Sequence, residues 1–375
     1  MSRDARIGRP PIARRASANL AENGLTKAIS TPAVVVDVDV AARNIERFQS
    51  YADAHRLKVR PHIKTHKLPA IAEMQLSAGA IGVTCQKISE AEAMVAGSAA
   101  VRDVLVTYNI VGEDKLAALR TLAGRVKLSV VADNPIVVDG LSSAFAAVEP
   151  LTVLVECNVG ADRCGVGAPE QALDLARRVA AAPGLVFGGL MTYPPAGGVA
   201  NTEAFMSAAK RLIEAAGMRV DCVSSGGSPD MKRAHEAPTT TEYRPGTYVY
   251  NDRSLVARGV CGWDDCALVV LTTVVSTPAA NRAIVDAGSK ILTSDLFGLS
   301  GYGHVLGRPD LVVDQLSEEH GRLVASGPTG LRVGDRLRIV PNHACVVTNM
   351  VDAVHVVRSG GAPALWRVAA RGKVE

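Results

Sequence analysis

The chain has 375 residues, of which 48% are hydrophobic and 21% are charged, a composition that excludes a disordered or fibrous protein. Its formal net charge of +4 is too small to predict a nucleic-acid partner. No stretch approaches the roughly 18 to 20 apolar residues of a membrane span, so we expect no membrane partner. Seven cysteines, an odd number without a Cys-x-x-Cys pair, favour reduced thiols and a cytoplasmic protein.

We predict that residues 1–30 form a disordered leader. This segment is rich in Arg and Ala, and much of the chain's excess of positive charge lies in it. It lacks the apolar stretch that a secretory signal requires, so a signal peptide is not expected.

From about Thr31, short β-branched runs alternate with Ala- and Leu-rich segments of helical period. Units of roughly 25 to 35 residues, repeated about eight times, predict an α/β fold in which residues 31–262 form a (β/α)8 TIM barrel. An open doubly wound sheet is the alternative, but no Gly-x-Gly-x-x-Gly follows the first strand. The strands are predicted at 33–37, 58–61, 82–85, 103–106, 127–131, 152–156, 187–191, 221–224 and 247–250. The helices are predicted at 40–55, 67–78, 89–97, 113–122, 135–148, 169–181 and 201–216.

The alternation of strands with helical segments ends after about Val256, because short turns then replace the helical segments. Gly-Pro-Thr-Gly at 327–330 and Arg-Ser-Gly-Gly at 358–361 are turn signals of antiparallel sheets. We therefore predict a mostly antiparallel β domain over residues 263–375. Its strands are predicted at 268–276, 282–286, 311–316, 321–326, 336–339 and 351–358.

A basic loop follows the second predicted strand, with the sequence Arg-Pro-His-Ile-Lys-Thr-His-Lys at 60–67. Ends of barrel strands are where catalytic groups collect. Neighbouring positive charge lowers the pKa of a lysine, which an amine needs in order to attack a carbonyl. Lys64 and His62 are therefore candidate catalytic residues, and a basic solvent-exposed loop is the alternative.

Two Gly-containing loops lie near the end of the predicted barrel, at 224–229 and 244–248. In each loop, backbone N–H groups and a hydroxyl can point at an anion, and barrels commonly hold phosphate at this place. Taken together the two loops predict an anion site, although each alone could be an ordinary turn. A third loop, at 158–165, carries Arg163 between glycines, either for a ligand or as a surface residue.

His343 and Cys345 lie in the segment Pro-Asn-His-Ala-Cys of the second domain. On an extended segment, a spacing of two places both side chains on one face, and imidazole with thiolate suits zinc or a similar divalent ion. Two ligands would leave an open site for water and substrate. A buried cysteine beside a structural histidine is the alternative.

These motifs, together with Thr-Cys-Gln-Lys at 84–87, occur in an order that resembles the D-threonine aldolase / D-serine dehydratase family, pyridoxal-phosphate enzymes of fold type III related to alanine racemase. The resemblance spans residues 30–370. It implies that Lys64 is the lysine bonded to pyridoxal 5'-phosphate and that His343 and Cys345 bind a divalent metal ion, Mn²⁺, Zn²⁺ or Mg²⁺. The remaining cofactor-binding residues that it implies are Gln86, Arg163, Tyr193, Ser228, Gly246 and Thr247.

The resemblance also implies a homodimer that acts on a small D-amino acid. It favours a D-threonine aldolase, with a D-serine or D-threo-3-hydroxyaspartate dehydratase as the alternative. A histidine expected near Tyr193 in some members is absent from the segment 192–198, which leaves the second catalytic base open. A racemase and a non-catalytic carrier of the cofactor are further alternatives, and the second domain with its His/Cys pair argues against the carrier.

Overall fold

The computed structural model describes residues 28–375. The predicted leader falls mostly on residues 1–27, which lie outside the described part. At its boundary Ile29 is buried, and the Arg336 guanidinium donates a hydrogen bond to the Ile29 carbonyl. The described chain therefore begins against the β domain.

Eight parallel strands form the barrel, and they are rich in buried Val and Leu, as strands covered on both faces are. In chain order they are β2 (Lys58–Val59), β3 (Val83–Cys85), β4 (Asp103–Val106), β5 (Lys127–Ala132), β6 (Leu151–Cys157), β7 (Leu185–Thr192), β8 (Val223–Ser225) and β9 (Glu242–Tyr243). The strand order is β2-β9-β8-β7-β6-β5-β4-β3. Its two end strands, β2 and β3, are connected by hydrogen bonds between the segments that contain them. The Thr84 N–H donates to the Pro61 carbonyl (2.8 Å) and the Ile81 N–H donates to the Val59 carbonyl (2.9 Å), which closes the barrel.

Helices cover the outside of the barrel and follow the predicted periodicity. They are α1 (Val38–Ala54), α2 (Pro69–Ser77), α3 (Ile88–Gly97), α4 (Glu113–Ala123), α5 (Pro135–Phe145), α6 (Pro169–Ala181), α7 (Val199–Ala215) and the short α8 (Arg253–Ala257). Helix α5 shows why they begin where they do, because Asn134 Oδ1 accepts the Val137 N–H (3.0 Å) and Pro135 occupies the first turn.

Two of the predicted barrel strands are wrong. The strand β1 (Ala33–Asp37) lies in the sheet of the β domain, where it pairs with the segments around Val270 and Val356. Residues 247–250 fold as a 3-10 turn, Thr247–Val249, and the eighth strand is Glu242–Tyr243, which was not predicted. A β-branched or aromatic run indicates burial and does not identify the pairing partner.

The β domain is a mostly antiparallel sheet. Its strands are β10 (Leu268–Ala279), β11 (Arg282–Val285), β12 (His304–Val305), β13 (Val312–Leu316), β14 (Gly321–Val324), β15 (Arg336–Val340), β16 (Ala353–Val357) and β17 (Ala364–Arg367), with β1 inserted between β10 and β16. A last helix, α9 (Ala344–Met350), begins directly after His343. The prediction that His343 and Cys345 share an extended segment is therefore wrong.

All seven cysteines are free thiols, as predicted. Among residues 28–375, no helix combines the length and the apolar character needed to cross a lipid bilayer.

Candidate active site

A cavity of about 350 Å³ lies at the carboxyl ends of the barrel strands, beside the β domain. Every site residue predicted from the sequence lines it: His62, Lys64, Gln86, Arg163, Tyr193, Ser228, Gly246, Thr247, His343 and Cys345. The topology explains the convergence, because parallel strands bring the loops that follow them to one end of the barrel. Gln86 directly follows β3, Tyr193 follows β7, and the glycines of the 224–229 loop follow β8.

Lys64 lies in a 3-10 turn, Ile63–Thr65, that His62 caps. His62 Nδ1 accepts the Lys64 N–H (3.4 Å), so its proton lies on Nε2, which donates to Gln86 Oε1 (3.1 Å). Gln86 is oriented in turn by donating from Nε2 to the Thr107 carbonyl (2.8 Å). Burial and the Lys64 charge hold the pKa of His62 well below its usual value. The ring is neutral with both nitrogens engaged, and it therefore positions the Lys64 turn and Gln86.

The two Gly-containing loops form one side of the cavity. Ser228 Oγ accepts the N–H groups of Gly246 (3.2 Å) and Tyr248 (3.0 Å), which fixes one loop against the other. At Gly226 a Cβ atom would lie 2.7 Å from the Arg244 carbonyl oxygen, so glycine is required there. The result is a compact corner of backbone with the hydroxyls of Ser228 and Thr247 beside it.

Arg163, in the 158–165 loop, lies next to Tyr193, which follows β7. The guanidinium carbon is 4.8 Å from the centre of the phenol ring. Asn158 Oδ1 braces the arginine loop by accepting the N–H groups of Gly160 (3.0 Å) and Asp162 (3.1 Å). This stacking places a cation and an aromatic face at the cavity.

Glu156 is buried near the end of β6, just before the arginine loop. Burial and repulsion from Asp133 raise its pKa to about 7, although the charges of Arg163 and Arg244 oppose the shift. Arg244 itself is buried and donates to Ser224 Oγ (2.6 Å) and to the Thr192 carbonyl (2.7 Å).

His343 and Cys345 meet the cavity at the start of α9. His343 Nδ1 lies 2.6 Å from Asp295 Oδ2, so Nε2 is the ring nitrogen that Asp295 does not hold. Although burial lowers the pKa of His343, its interactions with Cys345 and Asp295 raise it to about 9. Burial likewise raises the pKa of the Cys345 thiol, but the adjacent His343 lowers it below its usual value. Each of the two side chains therefore stabilises the charged form of the other.

The Cys345 sulfur also contacts the barrel, since Sγ lies 3.1 Å from Thr65 Oγ1 and 3.5 Å from Thr247 Oγ1. Within residues 28–375 no group of three or more His, Cys, Asp and Glu side chains is arranged as a metal site. The donor set is thus an imidazole and a thiol, with a carboxylate on the far side of the imidazole.

Several residues of the site were not predicted. Asp295 lies in an irregular segment without periodicity, and Thr65 lies inside the basic loop as an ordinary-looking neighbour of Lys64. Asp252 caps α8 and also accepts the Ala344 N–H (3.1 Å). Of these three residues, only Asp252 could have been recognised in the sequence, because it precedes a helical run as N-cap residues do.

Family comparisons agree with this architecture. The family described as "Alanine racemase, N-terminal domain" matches residues 36–254, and that described as "Putative serine dehydratase domain" matches residues 267–357. D-threonine aldolase of Arthrobacter sp. is 35% identical over 92% of this chain and 93% of its own length. D-threo-3-hydroxyaspartate dehydratase of Delftia sp. is 32% identical over 90% of this chain and 97% of its own length.

Solved structures of a D-threonine aldolase and of a D-threo-3-hydroxyaspartate dehydratase have the same fold as this chain. The crystal structure of D-threonine aldolase from Filomicrobium marinum matches with a TM-score of 0.85 and 34% identity, covering 92% of this chain and 97% of that one. A cysteine-to-alanine mutant of D-threo-3-hydroxyaspartate dehydratase "in the metal-free form" matches with a TM-score of 0.83 and 30% identity, covering 91% and 97%.

A racemase-type barrel, a β domain and a shared cavity with one lysine define the class of fold-type III pyridoxal-phosphate enzymes. Within that class the chain belongs to the D-threonine aldolase / D-serine dehydratase family. The relatives named above are lyases, either aldolases or dehydratases.

Proposed function

We propose that the protein is a lyase dependent on pyridoxal phosphate and a divalent metal ion, and that it acts on D-β-hydroxy-α-amino acids. Its proposed reaction is that of a D-threonine aldolase, which converts D-threonine into glycine and acetaldehyde. The observation that carries the proposal is that Lys64 and the His343/Cys345 pair line the same cavity. A β-hydroxy amino acid presents an amine and a hydroxyl on adjacent carbons, which such a cavity can bind together.

The residues of the cavity fit pyridoxal phosphate. Lys64 Nζ would hold the aldehyde carbon, and the corner formed by Ser228, Gly246 and Thr247 would hold the phosphate. Gly226 lets its loop pack directly against the Arg244 backbone, which holds the two loops of this corner together. When bound, pyridoxal phosphate supplies an electron sink for the bond broken at Cα.

On the side of the cavity that His343 and Cys345 line, the available donor atoms fit a divalent ion. Nε2 of His343 and Sγ of Cys345 would be the ligands, and Asp295 would hold the imidazole in the required tautomer from its other nitrogen. An ion held by these two ligands keeps positions for water and for the substrate hydroxyl, whose pKa it would lower. The mutant of D-threo-3-hydroxyaspartate dehydratase that is metal-free lacks a cysteine, which supports this assignment by analogy.

The other residues orient the reaction. His62 fixes the backbone of the Lys64 turn through Nδ1, and Gln86 is fixed by Thr107. Arg163 brings a cation to the cavity over Tyr193 and is suited to the cofactor ring or to the substrate's α-carboxylate. The buried contact between Thr65 and Cys345 links the Lys64 turn to the pair of candidate metal ligands.

A dehydratase is the second candidate, and its support is the similarity to D-threo-3-hydroxyaspartate dehydratase, which is 32% identical over 90% of this chain. In that reaction the β-hydroxyl departs after a proton is lost from Cα, and the products are a keto acid and ammonia. Both reactions need the same lysine and the same ion, so the motif alone does not choose between them.

Product analysis separates the two candidates. Purified protein would be incubated with pyridoxal phosphate, Mn²⁺ and D-threonine or D-serine, with the L-isomers as controls. Glycine and acetaldehyde from D-threonine would support the aldolase. A keto acid and ammonia would support the dehydratase, and the absence of all these products would contradict the proposed function.

We also propose that the protein is a homodimer in the cytoplasm. Tyr193 and Phe297 line the cavity and yet are 40% and 48% exposed, so its mouth presents apolar surface that a second copy could cover. Light scattering at micromolar concentration would give twice the mass of the chain if the proposal is correct. A fully active monomer would contradict it.

A further inference from the structure

A second cavity, of about 280 Å³, lies between helix α1 and the segments 231–232 and 248–261. In the part of the chain that the structure describes, no residue lines both this cavity and the active-site cavity. Aromatic rings form much of its wall, since the centre of the Phe48 ring lies 5.4 Å from that of Tyr248 and 5.8 Å from that of Tyr51. An apolar cavity of roughly 150 Å³ already binds benzene, so this space is large enough for one or two fused rings.

Two asparagine side chains of the wall are held by one backbone carbonyl. Asn44 Nδ2 donates both of its hydrogens, to the carbonyls of Val249 (3.1 Å) and Asp265 (2.8 Å). Asn251 Nδ2 donates to the same Asp265 carbonyl (3.0 Å). These bonds fix which end of each amide is nitrogen, because an amide oxygen would repel the carbonyl. Asn44 therefore has only its Oδ1 acceptor left for a ligand.

The acceptor of Asn251 has no partner in the fold. The residue is only 2% exposed, and within residues 28–375 its Oδ1 receives no hydrogen bond. Its other polar groups are engaged, because Nδ2 donates to Asp265 and the N–H donates to the Thr247 carbonyl (2.7 Å). A buried acceptor without a donor is costly, and a ligand that donates to it removes this cost.

The charges around the cavity disfavour an ammonium group as that donor. Of the described residues that line it, none is acidic, whereas Arg47 and Lys232 are cations. Arg47 forms an ion pair with Asp265 (2.9 Å), and Lys232 is exposed. A neutral hydroxyl or N–H group satisfies an amide oxygen without repulsion from these cations.

The tyrosine hydroxyls of the wall are already hydrogen-bonded to other residues. Tyr51 Oη lies 2.7 Å from His235 Nδ1, and Tyr248 Oη accepts from Gln75 Nε2 (3.1 Å). What the two tyrosines offer a ligand is therefore the apolar surface of their rings, which favours an aromatic partner.

We propose that this cavity is a second binding site, for a small neutral aromatic molecule that carries a hydroxyl or N–H donor, such as a phenol or an indole. The ring packs among the aromatic side chains, and the donor is bound by Asn251 Oδ1. The proposal does not depend on the lyase function, because it rests on residues outside the active site.

The site lies directly behind the corner formed by Ser228, Gly246 and Thr247. The Tyr248 N–H donates to Ser228 Oγ (3.0 Å), and the Asn251 N–H donates to the Thr247 carbonyl. A molecule bound in the second cavity thus contacts the segment that builds this corner, without entering the active site.

Calorimetry on the cofactor-loaded protein tests the proposal with phenol and toluene, which have the same ring and differ in the hydroxyl. Phenol should bind saturably, at about one molecule per chain, and at least about 3-fold more tightly than toluene, because toluene leaves the buried acceptor without a donor. Failure of phenol to bind at concentrations up to about 10 mM, or equal affinity for the two compounds, would overturn the proposal.

Two substitutions test the location of the site. Val260 is buried in the cavity wall, and Val260→Phe places a ring in the space, so phenol binding should fall by about 10-fold or more. Val186→Phe, at a position that is 49% exposed, is the matched control and should bind phenol as the wild type does.

Cys261→Leu is a second filling variant, at a half-buried residue of the same wall, and a melting curve shows which of the variants are folded. A folded filling variant that binds phenol as tightly as the wild type would overturn the proposal, because the phenol would then be bound elsewhere. Loss of binding in the filling variant, with binding retained in Val186→Phe, would support it.

Discussion

Thr65 Oγ1 lies 3.1 Å from Sγ of Cys345, although 280 positions separate them in the chain. Thr65 is the neighbour of Lys64, and Cys345 belongs to the candidate metal pair, so this contact joins the two reactive parts of the site directly. It also joins the barrel to the β domain. A change in the packing of the two domains would therefore alter the distance between Lys64 and the His343/Cys345 pair.

We predict that Lys64→Ala loses the absorbance of bound pyridoxal phosphate and about 1,000-fold or more of the activity, because Nζ is the amine that faces the cavity. Lys67→Gln is the matched control. Lys67 Nζ is held by Asn349 Oδ1 (2.7 Å) and by Glu90 (3.7 Å), so this variant should keep the absorbance band and show a lower melting temperature. Spectra and melting curves of both proteins check the assignment, and the reverse pattern would show that Lys67 is the cofactor lysine.

Removal of the metal should stop catalysis without unfolding the protein. Helix α9 is anchored by Ala344 and Val347 in the core, so its fold does not depend on an ion. EDTA treatment should therefore abolish turnover, leave the cofactor absorbance and melting curve nearly unchanged, and be reversed by Mn²⁺ or Zn²⁺. Full activity after EDTA would contradict the metal role and leave His343 as an acid, a base or a structural residue.

Asp295 should act on the metal through His343. It holds the imidazole through Nδ1 at 2.6 Å, and loss of such a partner typically weakens metal binding by about 10- to 100-fold. Asp295→Asn should raise the Mn²⁺ concentration for half-maximal activity by that factor, while kcat at saturating Mn²⁺ falls much less. Asp314→Asn, in a surface ion pair with Arg322, is the control and should leave the metal dependence unchanged. An unaltered metal requirement in Asp295→Asn would contradict the role.

The choice of metal should depend on Cys345. Cys345→Ala removes the thiolate and should raise the metal requirement by about 10-fold or more. Cys345→Asp supplies a carboxylate, which suits a harder ion such as Mn²⁺ better than Zn²⁺. Activity titrations with the two ions should show that the aspartate variant is rescued by Mn²⁺ and the alanine variant is not. Equal loss in both variants would indicate that Cys345 has a packing role.

Much of this site could be predicted because its residues follow barrel strands. Gln86, Tyr193 and Gly226 come one position after β3, β7 and β8, and a parallel barrel gathers such positions at one end. The sequence could not show that β1 joins the β domain, since an apolar run of Val residues is compatible with either sheet. Nor could it identify Asp295, because a carboxylate in an irregular loop becomes a partner of His343 only through tertiary packing.

The metal motif shows the same limit on a smaller scale. The spacing of two between His343 and Cys345 correctly predicted that both face one site. It did so for the wrong reason, because Cys345 lies in the first turn of α9 and His343 precedes it in extended conformation. Local spacing thus predicted that the two side chains lie close together. The start of α9 depends in addition on a distant residue, Asp252 at the N-cap of α8, whose carboxylate accepts the Ala344 N–H.

Buried Glu156 should make the stability of the cofactor-free protein depend on pH. Its carboxyl has a pKa of about 7 in the fold, against a value near 4.5 for an unperturbed Glu, because burial and Asp133 disfavour the charge. A raised carboxyl pKa means that the folded protein binds the proton more tightly than the unfolded chain does. Its contribution is therefore complete below about pH 4.5 and is lost as the pH rises through about 7, by roughly 3 kcal/mol.

Glu156→Gln cannot ionise, so the variant should gain stability relative to the wild type as the pH rises from 5 to 8. The difference in the free energy of unfolding between the two proteins, measured by urea titration at several pH values, should change in that direction by up to roughly 3 kcal/mol. Glu149→Gln replaces an exposed carboxylate after α5 and should leave the pH dependence unchanged. A constant difference between Glu156→Gln and the wild type over this range would show that Glu156 is already ionised in the fold, neutralised by Arg163 and Arg244.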